Sequence, residues 1–190
     1  GLLRARHGLG ARRSVSDSVP HAAALNPVIL FGQAPMAAVT PHLIVAHCVI
    51  DAAQLAGVER LLFTSSDKAV NPTNVMGTSK LMAELLVAAA NAFSRQGKQV
   101  FASTRFGNVL GSRGSVVPMF RRQISTGGPV TLTDERMTRF IMSLSQAVEL
   151  VMDSVFLAKG GEVFVTKMPV VRIADLASAI VLLLRRGRRD

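Results

Sequence analysis

Short apolar segments alternate with longer amphipathic segments along the 190 residues of this chain. Four segments have the length and the β-branched and aromatic content typical of strands, namely 15–22, 60–66, 99–106 and 162–166. Five longer segments repeat their apolar residues at helical spacing, namely 36–56, 76–96, 116–127, 143–159 and 172–186. This alternation predicts an α/β fold in which helices cover a parallel sheet.

The longest of the helical segments is 76–96. Strong helix formers fill this segment. Its apolar stripe comprises Leu81, Leu85, Ala88, Ala89 and Ala92, and this spacing predicts a long helix.

Two polar segments directly follow predicted strands. Residues 65–68 end the second strand, and residues 107–113 follow the third. Ligands of parallel sheets bind beyond the carboxyl ends of the strands. We therefore expect both segments at the mouth of one site.

Composition and charge add few constraints. The formal charge is +10, but eight arginines lie near the two ends and the interior is nearly balanced. Those eight are Arg4, Arg6, Arg12, Arg13, Arg185, Arg186, Arg188 and Arg189. No aromatic platform accompanies the basic residues, so we expect solvated ends rather than binding to nucleic acid. The single cysteine excludes an internal disulfide, and no spacing predicts a metal site or a membrane segment.

The triplet Ser66-Asp67-Lys68 ends the second predicted strand. An acid and a base on adjacent loop positions can supply a proton donor and a proton acceptor to one substrate. The simpler interpretation is a turn that carries a solvated ion pair. The triplet alone does not decide between the two.

Met76 and Lys80 lie four residues apart on the predicted helix and therefore share one face. Short-chain dehydrogenase/reductases place a Tyr-x-x-x-Lys pair on such a helix. There the lysine binds the nicotinamide ribose and lowers the pKa of the tyrosine. In isolation, Lys80 would be interpreted as a solvated side chain and Met76 as a core residue.

Two further segments favour contact with a ligand. In segment 105–118, glycines allow the backbone to approach a ligand, a helix begins, and Arg113 could hold a phosphate in a bidentate way. The segment HAAAL, 21–25, offers small residues past which a flat cofactor could lie. The simpler interpretation of both is a turn.

Together these segments resemble the CapD-type polysaccharide biosynthesis family. The resemblance rests on HAAAL, AGVERLLFTSSDKAVNPTNVMGTSKLMAE, TRFGNVLGSRGSVVPMFRRQI, GGPVTLTDERMTRFIM and GGEVFVTKMPVVRIADLA. The family comprises extended short-chain dehydrogenase/reductases that act as UDP-N-acetylglucosamine 4,6-dehydratases. It has one branch with the tyrosine and one with methionine in its place, and Met76 resembles the second.

The resemblance implies a Rossmann-like parallel sheet flanked by helices, and roles for the catalytic residues. On bound NAD(P), of which we expect NAD, hydride would leave C4 of the sugar and later return to C6. Lys68 would remove the C5 proton as general base, and Asp67 would protonate the departing C6 hydroxyl as general acid. Ser66 stands where the family usually has threonine. Met76 cannot accept the C4 hydroxyl proton, which leaves Lys68, Asp67 or an ordered water.

The resemblance also implies the binding residues. The cofactor would contact His21, Ala22, Ala23, Lys80 and Arg105. The UDP-sugar would contact Asn108, Arg113 and, at its nucleotide end, Arg139. We further expect a homo-oligomer in the full-length protein, in the cytoplasm or on the cytoplasmic face of the inner membrane.

The chain also departs from the family pattern. It has no Gly-rich opening after a first strand, Asn26-Pro27 replaces the usual Lys-His, and Pro41-His42-Leu43 replaces Thr-Asn-Val. We therefore expect a partial dehydratase domain over 21–184, incomplete at its N-terminal half, between an Arg-rich start (1–20) and a basic tail (185–190). Alone it would bind NAD weakly. The alternatives are a nucleotide-sugar epimerase, which needs no C6 elimination, and a non-catalytic fragment that binds sugar nucleotides.

Overall fold

The computed structural model describes residues 17–22, 34, 36–94, 98–112 and 115–186. Its strands are β1 (Ser18–His21), β2 (Arg60–Ser66), β3 (Val100–Phe106), β4 (Asn108–Val109), β5 (Thr138–Met142), β6 (Val163–Val165) and β7 (Val170–Arg172). Its α-helices are α1 (Met36–Val39), α2 (Val45–Ala56), α3 (Val75–Ala92), α4 (Val116–Ser125), α5 (Leu144–Leu157) and α6 (Ile173–Arg186). The predicted α/β fold is confirmed.

The main sheet has four parallel strands in the order β1-β2-β3-β6. The register sets His21 beside Phe63, and Ser65 beside Arg105. Because all four strands run the same way, their carboxyl ends lie on one edge of the sheet. The residues that follow β1, β2 and β3 therefore converge there.

Helices cover both faces of this sheet. Side chains alternate between faces along β2, so Leu61 and Phe63 join one core and Leu62 joins the other. The first core includes residues of α2 and α3, and the second includes residues of α5. Phe63 is 1% exposed, and truncating such a side chain typically costs about 3–5 kcal/mol. This packing on both faces holds β2 in place and so fixes the position of its carboxyl end.

A second sheet of three strands, in the order β4-β5-β7, was not predicted. Beside it, α4 and α6 pack together around Phe120, Ile173, Ala177 and Ile180. The pattern failed here because β4 and β7 span two and three residues, and most of β5 is exposed. Such short strands carry too little periodicity to be detected.

The segment predicted as a helix over 36–56 is helical throughout, but it is not one uninterrupted α-helix. A π-helical turn, Thr40–Ile44, separates α1 from α2, and Pro41 is its second residue. Proline has no backbone N–H to donate, so an uninterrupted α-helix is disfavoured at this position. The π turn accommodates Pro41 within the helical segment.

The helix predicted over 76–96 is confirmed as α3, but its apolar stripe is not its buried face. Leu85 is 61% exposed, whereas Lys80 and Glu84 are each 3% exposed. The buried face comprises Met76, Gly77, Ser79, Lys80, Ala83, Glu84 and Val87. Hydropathy assigns charged residues to solvent, so the sequence pattern did not indicate a buried face that contains Lys80 and Glu84. Two charges inside the packed face are the first structural sign of a functional site.

Candidate functional site

The turn after β2 holds an acid and a base in direct contact. Residues Asp67–Ala69 form one 3₁₀ turn, which Ser66 caps by accepting a hydrogen bond from the Lys68 backbone N–H at 3.3 Å. The Ser66 hydroxyl donates to Asp67 Oδ1 at 2.8 Å, and Lys68 Nζ donates to the same oxygen at 3.1 Å. Both charged side chains remain accessible, Lys68 at 33% and Asp67 at 16%. The predicted triplet therefore forms an ion pair that a substrate could reach.

Gly77 lets α3 approach this turn closely. A Cβ at position 77 would collide with the backbone carbonyl of Lys68 and touch the side chain of Pro72 at 3.0 Å. Helix α3 begins at Asn74, whose side chain accepts a hydrogen bond from the Gly77 N–H at 2.9 Å. The cap and the missing side chain together fix the distance between the helix and the turn.

Lys80 crosses from α3 to the edge of β2. Its Nζ donates to the Thr64 carbonyl at 2.9 Å and lies 5.0 Å from the centre of the Phe63 ring. The carbonyl and the π face are both attractive to a cation. Thr64 Oγ1 in turn donates to the His21 carbonyl at 3.0 Å. Lys80 is thereby tied to the carboxyl ends of β1 and β2.

Burial changes the acid–base properties of this edge. Desolvation lowers the pKa of Lys80 from 10.5 to about 8, although the negative charge of Glu84 raises it in part. Burial, together with the positive charge of Lys80, lowers the pKa of His21. At neutral pH Lys80 therefore remains an ammonium and His21 is favoured as a neutral imidazole.

Met76 is a packing residue in this structure. It is 1% exposed and contacts Ala37 and Val75. The Met76 carbonyl accepts a hydrogen bond from the Ser79 hydroxyl at 2.9 Å. A thioether carries no exchangeable proton, so Met76 fills space one turn before Lys80 without sharing in proton transfer.

Two polar atoms at this edge are buried without a hydrogen-bond partner among the described residues. They are Nε2 of His21 and the hydroxyl of Ser65, at the ends of adjacent strands. Buried polar atoms normally have partners, and exceptions call for an explanation. A polar ligand such as a dinucleotide would supply partners, so the residues present fit a cofactor of the NAD type.

Arg105 makes a bidentate ion pair with a residue that the sequence pattern did not single out. Its Nε and one terminal nitrogen donate to Glu84 at 2.9 and 2.6 Å. This hydrogen bonding raises the pKa of Arg105. Glu84 was missed because hydropathy assigned it to solvent. Its position one turn after Lys80 was the signal that could have found it.

His42 is another residue whose place became clear only in three dimensions. It is fully buried on the π turn, and its Nδ1 lies 2.8 Å from the Ser79 hydroxyl. That hydroxyl has one hydrogen, which it donates to Met76, so His42 is the donor in this contact. The π turn is thus anchored to α3 directly behind Met76.

The predicted substrate residues are only partly described. Asn108 donates to the Phe140 carbonyl at 2.9 Å and so links β4 to β5. Arg139 is exposed on β5 and donates to the neighbouring Thr138 carbonyl at 2.8 Å. Ala22 follows β1 and is exposed. Ala23 and Arg113 lie outside the described residues.

The described part of the chain has neither a candidate metal site nor a helix that could span a membrane. No group of three or more histidine, cysteine or acidic side chains there could hold a metal ion. None of the helices in that part is long and apolar enough to cross a membrane.

Sequence similarity to curated relatives extends over most of this chain. An uncharacterized membrane protein of Methanocaldococcus jannaschii, MJ1061, is 50% identical over 87% of the chain and 50% of its own length. A Campylobacter jejuni UDP-N-acetylglucosamine 4,6-dehydratase (inverting) is 41% identical over 95% of the chain and 54% of its own. A UDP-glucose 4-epimerase of Rickettsia akari is 42% identical over 86% and 48%. The chain thus spans about half the length of these relatives.

Solved structures agree on the fold. Pen from Bacillus thuringiensis is 40% identical, with a TM-score of 0.86 over 90% of this chain and 54% of its own. DesIV, a dTDP-glucose 4,6-dehydratase from Streptomyces venezuelae solved with NAD and TYD, is 17% identical and has a TM-score of 0.82 over 90% and 58%. At that identity DesIV supports the fold alone. The family model of polysaccharide biosynthesis proteins matches residues 10–189, so the chain belongs to that family and has its Rossmann-like fold.

Proposed function

We propose that the protein containing this chain dehydrates UDP-N-acetylglucosamine to a UDP-4-keto-6-deoxy sugar for the synthesis of a surface glycan. The observation that carries the proposal is the Asp67–Lys68 pair at the carboxyl edge of β2. An elimination across C5 and C6 needs a base at one carbon and an acid at the next. Adjacent residues on one turn can offer both to the same substrate.

The resting pair and the working pair differ by the position of one proton. In the structure Lys68 and Asp67 are 3.1 Å apart as an ion pair, whereas the elimination needs an amine and a carboxylic acid. Transfer of one proton along this hydrogen bond converts the first form into the second. The net charge of the pair stays at zero, so the transfer adds no charge to a partly buried turn.

The elimination then restores the resting pair. Lys68 takes the C5 proton, the C5–C6 double bond forms as the bond from C6 to oxygen breaks, and Asp67 protonates the oxygen that leaves as water. Lys68 ends as an ammonium and Asp67 as a carboxylate. The Ser66 hydroxyl, which donates to Asp67 Oδ1 at 2.8 Å, would hold the carboxyl group in place throughout.

The remaining redox chemistry would come from NAD, which when bound would take hydride from C4 and return it to C6. The C4 hydroxyl proton would pass to solvent through an ordered water, and Lys68 would return a proton to C5. Lys80 would bind the ribose of NAD, because its ammonium stands at the edge of β2 with one donor used by Thr64. His21 and Ser65 would offer their unpartnered polar atoms to the same ligand. Asn108, Arg113 and Arg139 stay predictions for the UDP group.

The experiment incubates the intact protein with UDP-N-acetylglucosamine and NAD in heavy water and follows the sugar nucleotide by mass spectrometry. We expect a product that has lost one water and carries one deuterium at C5. Lys68→Ala should abolish both changes. Lys98→Ala is the matched control, because Lys98 is exposed and precedes β3 at the opposite edge of the sheet.

A second variant separates the two roles. Asp67→Asn removes the acid but keeps an oxygen that Ser66 and Lys68 can contact. It should slow water loss by about 10²-fold or more, the usual contribution of a general acid. If wild-type protein instead yields an isomer of unchanged mass, it is an epimerase, as one group of relatives is named. Binding without turnover would favour a non-catalytic role, and either outcome would overturn the proposal.

A further inference from the structure

Behind the proposed cofactor lysine lies an ion pair that the proposed chemistry does not use. Glu84 follows Lys80 by one helical turn on the buried face of α3 and is 3% exposed. Arg105 reaches it from β3 and is 20% exposed. Both hydrogen bonds, at 2.9 and 2.6 Å, join a guanidinium to a carboxylate in the bidentate geometry that best fixes an orientation.

We infer that Glu84 and Arg105 are positioning residues that keep Lys80 a cation aimed at the end of β2. Arg105 binds both oxygens of Glu84, whereas the Lys80 ammonium donates to the Thr64 carbonyl rather than to that carboxylate. Glu84 then acts on Lys80 through its charge alone. This inference rests on the proposed function only in giving Lys80 a cofactor to bind.

The geometry gives each member a distinct task. Lys80 is held by the Thr64 carbonyl and the Phe63 ring, neither of which carries a net charge. Burial favours the neutral amine, and the Glu84 charge opposes that tendency. Arg105 holds the Glu84 carboxylate in place through both of its oxygens, because a buried carboxylate needs a charged partner.

The elements around Lys80 carry other ionisable groups. His21 on β1 is favoured as a neutral imidazole by burial and by the Lys80 charge, so it adds no cation. On the 67–69 turn, Asp67 and Lys68 pair with each other. On the π turn, His42 contacts Ser79. Glu84 is thus the charged group on the same helix face that can stabilise the Lys80 ammonium.

The test measures the titration of Lys80 directly and needs no turnover. The protein is labelled with ¹³C at lysine Cε, its spectrum is followed from pH 6 to 11, and the Lys80 signal is assigned by its loss in Lys80→Met. In Glu84→Gln we expect the midpoint to fall by about one pH unit, the usual effect of a nearby charge. Glu149→Gln, exposed on α5 on the other face of the sheet, is the matched control and should leave it unchanged.

A double variant guards against loss of folding. Glu84→Leu with Arg105→Met replaces the pair by apolar side chains of similar size, a change that buried pairs often tolerate. Its thermal midpoint should stay near that of the wild type. The Lys80 midpoint should still fall, but by less than in Glu84→Gln, because the Arg105 charge is removed together with the Glu84 charge. If the ion pair were purely structural, the double variant would fold and its Lys80 midpoint would equal that of the wild type.

NAD binding distinguishes this inference from the proposed function. Affinity measured at pH 6 and pH 8 should fall in Glu84→Gln by about 5-fold at pH 8 and recover at pH 6, where Lys80 is protonated again. If the wild-type protein does not bind NAD, the proposed function fails although the titration result stands. If the Lys80 midpoint is the same in Glu84→Gln as in the wild type, the inference itself is overturned.

Discussion

Two ion pairs lie near the same end of β2, and they differ in almost every physical respect. Asp67 and Lys68 are adjacent in sequence, joined by one 3.1 Å contact and open to solvent on one side. Glu84 and Arg105 are 21 residues apart, joined by two contacts and largely buried between α3 and β3. The first can exchange its proton and meet a substrate, whereas the second is held in a single arrangement.

The difference shows how one edge of a sheet can combine reactivity with rigidity. A pair that performs acid–base chemistry needs access and loose geometry, because its protonation state must change during the reaction. A pair that fixes a neighbour needs burial and bidentate contacts, because its protonation state must not change. Lys80 lies one helical turn before Glu84, and we infer that the rigid pair keeps its side chain protonated.

The largest expected effect comes from removing the reactive base. Lys68→Ala should lower turnover by about 10³-fold or more, because general bases typically contribute 10²–10⁴. The melting temperature should hardly change, since an exposed pair contributes little to stability. Turnover and melting are measured on the same preparation. A large loss of stability would contradict the separation between the two pairs.

Breaking the rigid pair should have the opposite signature. Arg105→Ala leaves the Glu84 carboxylate buried without a partner, which should lower the free energy of unfolding by about 3 kcal/mol. Denaturant unfolding at pH 7 measures this loss. Arg172→Ala, which breaks an exposed bidentate pair with Asp175, is the control and should lower the free energy of unfolding far less.

Burial of the Lys80 ammonium should lower the free energy of unfolding. Its pKa of about 8 in the folded protein lies below the usual 10.5, so the unfolded chain binds more protons between these values. The free energy of unfolding therefore rises with pH from about 8 to 10.5, and the full penalty applies below pH 8. Lys80→Met should raise stability at pH 7 by about 2–3 kcal/mol and flatten this rise. An unchanged pH dependence of unfolding would show that the ammonium carries no such penalty.

The smallest effect concerns the spacing between α3 and the turn. Gly77→Ala introduces a Cβ against the Lys68 carbonyl, and the backbone must shift to admit it. We expect a loss of about 1–2 kcal/mol in stability and a larger relative loss of turnover. Gly128→Ala, where the added atom meets only the Gln123 carbonyl at 3.9 Å, serves as the reference. Equal turnover in both variants would show that the position of the turn is not critical.

The sequence predicted the main sheet well because its signals are local. The strands at 60–66 and 99–106 are apolar runs of ordinary length, and they occur within one residue of their predicted limits. The turn at Ser66-Asp67-Lys68 followed from polar residues at a strand end. The small second sheet escaped, because strands of two or three residues form only when their neighbours are already in place.

The sequence by itself determined the family, the parallel sheet and the adjacent Asp67–Lys68 pair, since each is encoded in residues that are adjacent or a fixed helical step apart. Only the tertiary structure decided that α3 turns Lys80 and Glu84 inward and that Arg105 meets them from β3. Charged residues look solvent-facing to any local pattern. Their burial depends on a partner supplied from another strand, and sequence spacing carries no information on that encounter.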